Sequence, residues 1–162
     1  VASSGLHTNG YSLARKVVGD TPLTAPLPGG NGESIGAALC VTHRSYHGVL
    51  ASVIEQDLLM AMAHITGGGM QDNLPRVLPE HVGAVVDVSA WQRPALFDWL
   101  IQGAELGIED AHQIFNCGIG MVLIVAADDV ASVQASIDEA TWVIGETVAY
   151  DGSSARVQLV NI

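Results

Sequence analysis

The stretch "AMAHITGGGMQDNLPR", Ala61 to Arg76, decides how the chain is read. An apolar run ends in a histidine, and three glycines follow in a row. With the residues before it, "DLLMAMAHI" reads as a strand, or as an apolar turn of helix passing into one. Glycine loses more conformational freedom on folding than any other residue, so a triplet at Gly67, Gly68 and Gly69 is costly. The backbone itself must be needed there. It either lets a ligand or another backbone come close, or aims N–H groups at an anion, or simply turns. Downstream, Asp72, Asn73 and Arg76 supply polar side chains, and Arg76 could meet a phosphate or carboxylate in a forked geometry. His64 fits a satisfied core histidine as well as a base.

Working outward, "HVGAVVDV" (81–88) and the wholly apolar "IGMVLIVAA" read as strands, the second covered on both faces. "WVIGETVAY" and "ARVQLVNI" read as a closing hairpin around "DGSS". Between the strands lie helices. One follows Thr8 and Asn9, its possible caps, with Leu13, Val17 and Val18 on its apolar face. A second carries Val49, Val53 and Ile54. A third starts near Pro94, with Leu96, Phe97, Leu100 and Ile101 as its buried stripe. "IEDAHQIF" is a short helix, and Asp128 caps a last one bearing Val130, Val133 and Ile137. Residues 19–36 hold three prolines and five glycines and read as a mobile loop. The expected fold is one α+β domain over 1–162, its sheet mostly antiparallel or mixed, with helices packed on it.

Charge narrows the partners. Six Lys and Arg stand against 17 acids, a net charge of −11, which argues against nucleic acid. No apolar run reaches the ~18 to 20 residues of a membrane span. A small phosphorylated ligand remains compatible, because backbone N–H groups can hold it. Cys40 and Cys117 fit no metal or redox spacing and read as reduced thiols of a cytoplasmic protein. The opening at Val1, inside a loop-like motif, suggests a piece of a longer protein.

Three further stretches could carry chemistry. "SSGLHTNG", Ser3 to Gly10, brings Ser3, Ser4, His7 and Asn9 to a helix start, a setting for anion or amide recognition or merely for a capped helix. "FNCGIGM" (115–121) puts glycines at the entry to a strand. Its Cys117 has nothing nearby to lower its pKa and reads as a small buried residue. "HRSYH" spaces His43 and His47 four apart, a metal-capable helical spacing that lacks a third ligand.

"SSGLHTNGYSLARKV", "AMAHITGGGMQDNLPRVLP" and "FNCGIGMVLIV", with "HRSY" and "DVSAWQRPALFDWL", resemble the C-terminal half of aminoimidazole ribonucleotide synthetase, the phosphoribosylformylglycinamidine cyclo-ligase family. The resemblance runs from Val1 to about the last strand. It implies an α/β layer of ferredoxin-like character and a missing N-terminal domain that forms a homodimer core and holds ATP and Mg²⁺ on acidic residues. It implies a reaction in which ATP activates the formyl oxygen of formylglycinamidine ribonucleotide and a nitrogen closes the imidazole ring. Ser3, Ser4, His7 and Asn9 would face the ribonucleotide; His64, Gly67, Gly68, Gly69, Asn73 and Arg76 would face the nucleotide. No metal ligand and no catalytic base is assigned on this half, and the half alone is expected to be inactive. Met70 and Gln71 depart from the larger apolar or aromatic pair usual in the family, and loop 19–36 is unusually rich in proline and glycine. Related ATP-dependent enzymes of the selenophosphate synthetase and thiamine-monophosphate kinase type, or a non-catalytic binding domain, are the alternatives.

Overall fold

The computed structural model describes all residues, Val1–Ile162. Two small sheets organise it. β1 (Ala61–His64) pairs antiparallel with β3 (Met121–Ile124), His64 opposite Met121. β2 (Val82–Asp87) lies between β4 (Gly145–Ala149), antiparallel to it, and β5 (Val157–Val160), parallel to it. The α+β class is as the sequence indicates, but the closing hairpin does not form. β2, an apolar strand with Ala84 and Val86 buried, takes the centre and separates the two C-terminal strands. Satisfying both edges of this half-buried strand outweighs a local turn. Gly83 permits this, since a Cβ there would stand 2.7 Å from the Arg156 carbonyl oxygen.

Seven helices surround the sheets: α1 (Tyr11–Val18), α2 (Ile35–Leu39), α3 (Tyr46–Glu55), α4 (Gly69–Asn73), α5 (Ala95–Gly103), α6 (Ile108–Ile114) and α7 (Val130–Ala135). α5 buries Leu96, Phe97, Leu100 and Ile101, the stripe read from its spacing. With Phe115 of the segment after α6 these make one core, each large side chain contributing about 1.5–3 kcal/mol. A second core lies under β2, around Ile65, Met70, Leu74, Trp91 and Ile119. A third joins Tyr46, Leu50 and Val53 of α3 to Val133 and Ile137.

Several local expectations change. The buried stripe of α3 is Tyr46, Leu50 and Val53, while Ile54 is exposed. Neither Thr8 nor Asn9 caps α1; Gly10 takes that position in a left-handed conformation, because the Phe115 ring packs where a Cβ would stand. Asp128 lies inside a short 3-10 turn ahead of α7, and α7 stops at Ala135, short of Ile137. Residues 19–36 contain the start of α2, capped by the Ser34 hydroxyl accepting from the Ala37 N–H. β3 is half covered rather than sealed on both faces: only Val122 is buried, and a cavity of about 800 Å³ opens between the sheets, lined by Val122, Ile124, Val86 and Trp142 among others. No histidine lines that cavity. No helix is long and apolar enough to cross a membrane.

Candidate functional site

The loop Ser3–Asn9 is pinned on two sides. The Ser4 hydroxyl donates to the Thr42 carbonyl at 2.9 Å and accepts from the Arg44 N–H at 3.0 Å. On the other side, the Asn116 amide donates to the Gly5 carbonyl at 2.8 Å and the Asn9 amide donates to the Ile114 carbonyl at 2.8 Å. Asn116 is itself sealed, and its oxygen accepts from the Gly118 N–H. Three segments far apart in sequence are thereby locked together. The loop pays with a left-handed backbone at His7 (φ 59°).

This locking gathers three histidines. The rings of His7 and His43 stack with centroids 4.0 Å apart and planes within 10°. His43 Nε2 lies 3.2 Å from His64 Nε2, a hydrogen-bond distance. His7 and His64 are 5.7 Å apart between centroids. Tyr46 closes the floor, its hydroxyl donating to the Ala2 carbonyl at 2.7 Å. Gly120 makes room for it, since a Cβ there would fall on the Tyr46 hydroxyl and 2.6 Å from His7 Cε1.

Burial favours the neutral form of His7 and His64. Burial, then the neighbouring His43, His64 and Arg44, push the His7 pKa down to about 4. Burial and His43 lower that of His64 as well. His7 therefore carries no cation at pH 7, and the protonated His7 that would hold a phosphate by charge is not available. Its tautomer follows from geometry: Nε2 accepts from the Ser4 N–H at 3.2 Å, so the proton sits on Nδ1. That Nδ1 is sealed and has no partner within the chain.

Nitrogens of all three rings lie within 4.8 Å of one another. A metal ion lies in the plane of each imidazole that binds it. Two parallel rings stacked at 4.0 Å share no such plane, and the His7 Nε2 lone pair is already engaged. As they stand, these side chains form a hydrogen-bonded pair with a neutral donor stacked on it. His47, weighed with His43 for helical metal spacing, is exposed, and His43 precedes α3, so the two do not share a helical turn.

The glycine turn follows β1 directly. Gly68 and Gly69 have positive φ, 88° and 62°. Gly68 N–H donates to the Gln113 carbonyl at 2.9 Å, and a Cβ on Gly69 would overlap the His112 carbonyl oxygen. Gly69 is thus required by the approach of another backbone, the end of α6, and Gly68 by its left-handed φ and the Asp72 side chain packed against it. Gly67 is open, with nothing within 4 Å of its Cβ position. Asn73, expected to face a nucleotide, is buried and spent on the turn: its amide donates to the Gly69 carbonyl at 2.7 Å and the Gly67 carbonyl at 3.3 Å, and its oxygen accepts from Thr66 Oγ1 at 3.1 Å. Arg76 ends the following 3-10 turn, exposed and without an ion pair.

The structure thus brings His7 and His64 together, joins to them His43, read from sequence only as one of a metal-spaced pair, and adds Tyr46 and Asn116, which the sequence does not single out. The Asn inside "FNCGIGM" and the His inside "HRSYH" were the available signals. Cys117 is buried as read, its thiol pushed up to about 12 by burial. With Cys40 exposed, the native chain is expected to release one equivalent of chromophore to a disulfide reagent at pH 8 and two in denaturant. Two fast equivalents in the native state would contradict this packing.

Residues 1–158 match the family described as AIR synthase related protein, C-terminal domain. The chain is 41% identical over 168 residues to the trifunctional purine biosynthetic protein adenosine-3 of Homo sapiens. It is 40% identical over 167 residues to the bifunctional purine biosynthetic protein of Schizosaccharomyces pombe. Each alignment covers all of this chain, but only 17% of the human protein and 21% of the yeast one, so the chain spans about a fifth of the length of these relatives.

Proposed function

Because the chain belongs to the AIR synthase related C-terminal domain family, we propose that it is the C-terminal half of an ATP-dependent cyclo-ligase. It works on formylglycinamidine ribonucleotide, closing the imidazole ring of aminoimidazole ribonucleotide in de novo purine biosynthesis. The observation that carries this reading is the convergence of loop Ser3–Asn9, the end of β1 and the entry to β3 on one cluster of three histidines. The relatives that share these segments are purine biosynthetic proteins.

In this reading the loop is the ribonucleotide wall. No side chain caps α1, which leaves its first N–H groups open to an anionic group. His7, held in one tautomer by the Ser4 N–H and packed on His43, fixes the shape of that wall from behind. Gly67 and Arg76, open and unpaired, face the nucleotide side, while Asn73 holds the turn between them. His64 stands at the junction of the two walls and is the group placed to move a proton.

ATP is the phosphoryl donor. Mg²⁺ prefers hard oxygen ligands, and the cluster offers neutral nitrogens; Glu139, the acid brought near it, is engaged by Arg44. The metal's ligands belong to a nucleotide-binding half outside this chain, which also forms the homodimer core. The enzyme works in the cytoplasm.

In the intact enzyme, His7→Ala is expected to raise KM for the ribonucleotide about ten- to a hundredfold, because the Ser3–Asn9 loop loses the ring that holds its shape, and to leave KM for ATP nearly unchanged. Arg76→Ala is expected to act mainly on ATP. The opposite pattern, His7→Ala weakening ATP and sparing the ribonucleotide, would show the two walls to be exchanged.

A further inference from the structure

We propose that His43 and His64 form a directional proton relay in which His64 takes the proton lost at ring closure and His43 receives it in turn. The proposal rests on the cyclo-ligase reading and adds to it His43 as a positioning residue. Geometry carries it. The two Nε2 atoms face each other at 3.2 Å, so one must donate and the other accept. The outer Nδ1 atoms of both rings have no protein partner and, unlike His7 Nδ1, are not sealed. A group that can pick up a proton at one end and shed it at the other is thereby built from two rings, with His7 stacked on the second to hold its plane.

The proton's path fixes the direction. His64 must rest with its proton on Nε2 and its Nδ1 lone pair free. In the step, the attacking nitrogen forms its bond to the formyl carbon. The bond from that carbon to the phosphorylated oxygen breaks, and the electron pair leaves with phosphate. The proton on the attacking nitrogen passes to His64 Nδ1, and the Nε2 proton of His64 passes to His43 Nε2. His64 ends neutral in its other tautomer, and His43 ends as the cation. His43 is half-buried, next in sequence to Arg44, whose charge is offset by Glu139. The other titratable groups facing the pair are His7, stacked on His43, and Tyr46, whose ring centroid is 6.0 Å from that of His64. Tyr46 is held in its protonated form by burial, which pushes it up to about 12. A neutral His64 is available to accept a proton at pH 7, as its lowered pKa requires.

Two measurements test this. In the intact enzyme, His43→Ala is expected to lower kcat about ten- to a hundredfold with KM for the ribonucleotide within about twofold. Added imidazole should recover part of the loss. His43→Gln, which can accept the hydrogen bond but not the proton, is expected to be as slow as His43→Ala. In the 162-residue chain, long-range ¹⁵N spectra of the imidazoles at neutral pH should show His64 protonated at Nε2 and His43 at Nδ1, assigned with His43→Gln and His64→Gln. His43→Gln turning over at full speed, or the reverse tautomers in an enzyme that is otherwise active, would overturn the relay alone. Absence of cyclo-ligase turnover in the unmutated enzyme would overturn the reading beneath it.

Discussion

Gly69→Ala is expected to destabilise the fold by about 2 to 5 kcal/mol, a large share of the 5–15 kcal/mol typical of a domain. Two costs add. The residue sits at φ 62°, where a side chain costs about 1–2 kcal/mol. Its Cβ would also overlap the His112 carbonyl, so the end of α6 must shift, and overpacking of this kind costs about 1–3 kcal/mol. The neighbour is backbone and cannot rotate aside. Gly67→Ala is the internal control. It has no positive φ and nothing within 4 Å, so its effect should stay within about 0.5 kcal/mol. Urea unfolding of both variants decides the point, and equal midpoints would show that α6 does not press on the turn.

Gly120→Ala should cost about 2 to 4 kcal/mol and pull the histidine cluster apart. The added methyl falls on the Tyr46 hydroxyl and crowds His7. Relief requires breaking the bond from Tyr46 to the Ala2 carbonyl, or moving the His7 ring off His43. Gly48→Ala offers a contrast of opposite sign. It lies inside α3 with open space at its Cβ position, so alanine should stabilise by about 0.5–1 kcal/mol through helix propensity. A neutral Gly120→Ala, by thermal unfolding, would mean the cluster is looser than its contacts imply.

These contrasts show which parts of the fold are legible from sequence. The stripe of α5 and the strand character of β1, β2 and β3 follow from apolar spacing, which burial enforces directly. The order of the second sheet does not. β4 and β5 carry a good turn between them, but only the finished fold reveals that β2 takes the position between them. The glycine triplet points to a backbone requirement, and for Gly69 the structure gives its cause as α6, more than 40 residues downstream. The site was half visible. His7 and His64 stood out beside glycine and hydroxyl residues, whereas His43 gained meaning only when the Ser4 bonds to Thr42 and Arg44 drew its segment onto the loop. The neutral state of His7 is not legible locally either: nothing in its own stretch shows that burial, two more imidazoles and Arg44 would depress its pKa. Asn73, polar and next to a glycine turn, looked like a ligand group, but its amide is consumed by the carbonyls of that turn.

The most direct measurement is ADP release in the presence of ATP and formylglycinamidine ribonucleotide, with the ring-closed product followed in parallel. The 162-residue chain alone is expected to give none above background, since in the proposed reading the acidic nucleotide site lies on the other half. Joined to a nucleotide-binding half of the same family, it is expected to release ADP and aminoimidazole ribonucleotide in equal amounts, and only when both substrates are present. Turnover by the chain alone, or ADP release from the joined enzyme that ignores the ribonucleotide, would contradict its assignment as the substrate-facing half of a cyclo-ligase.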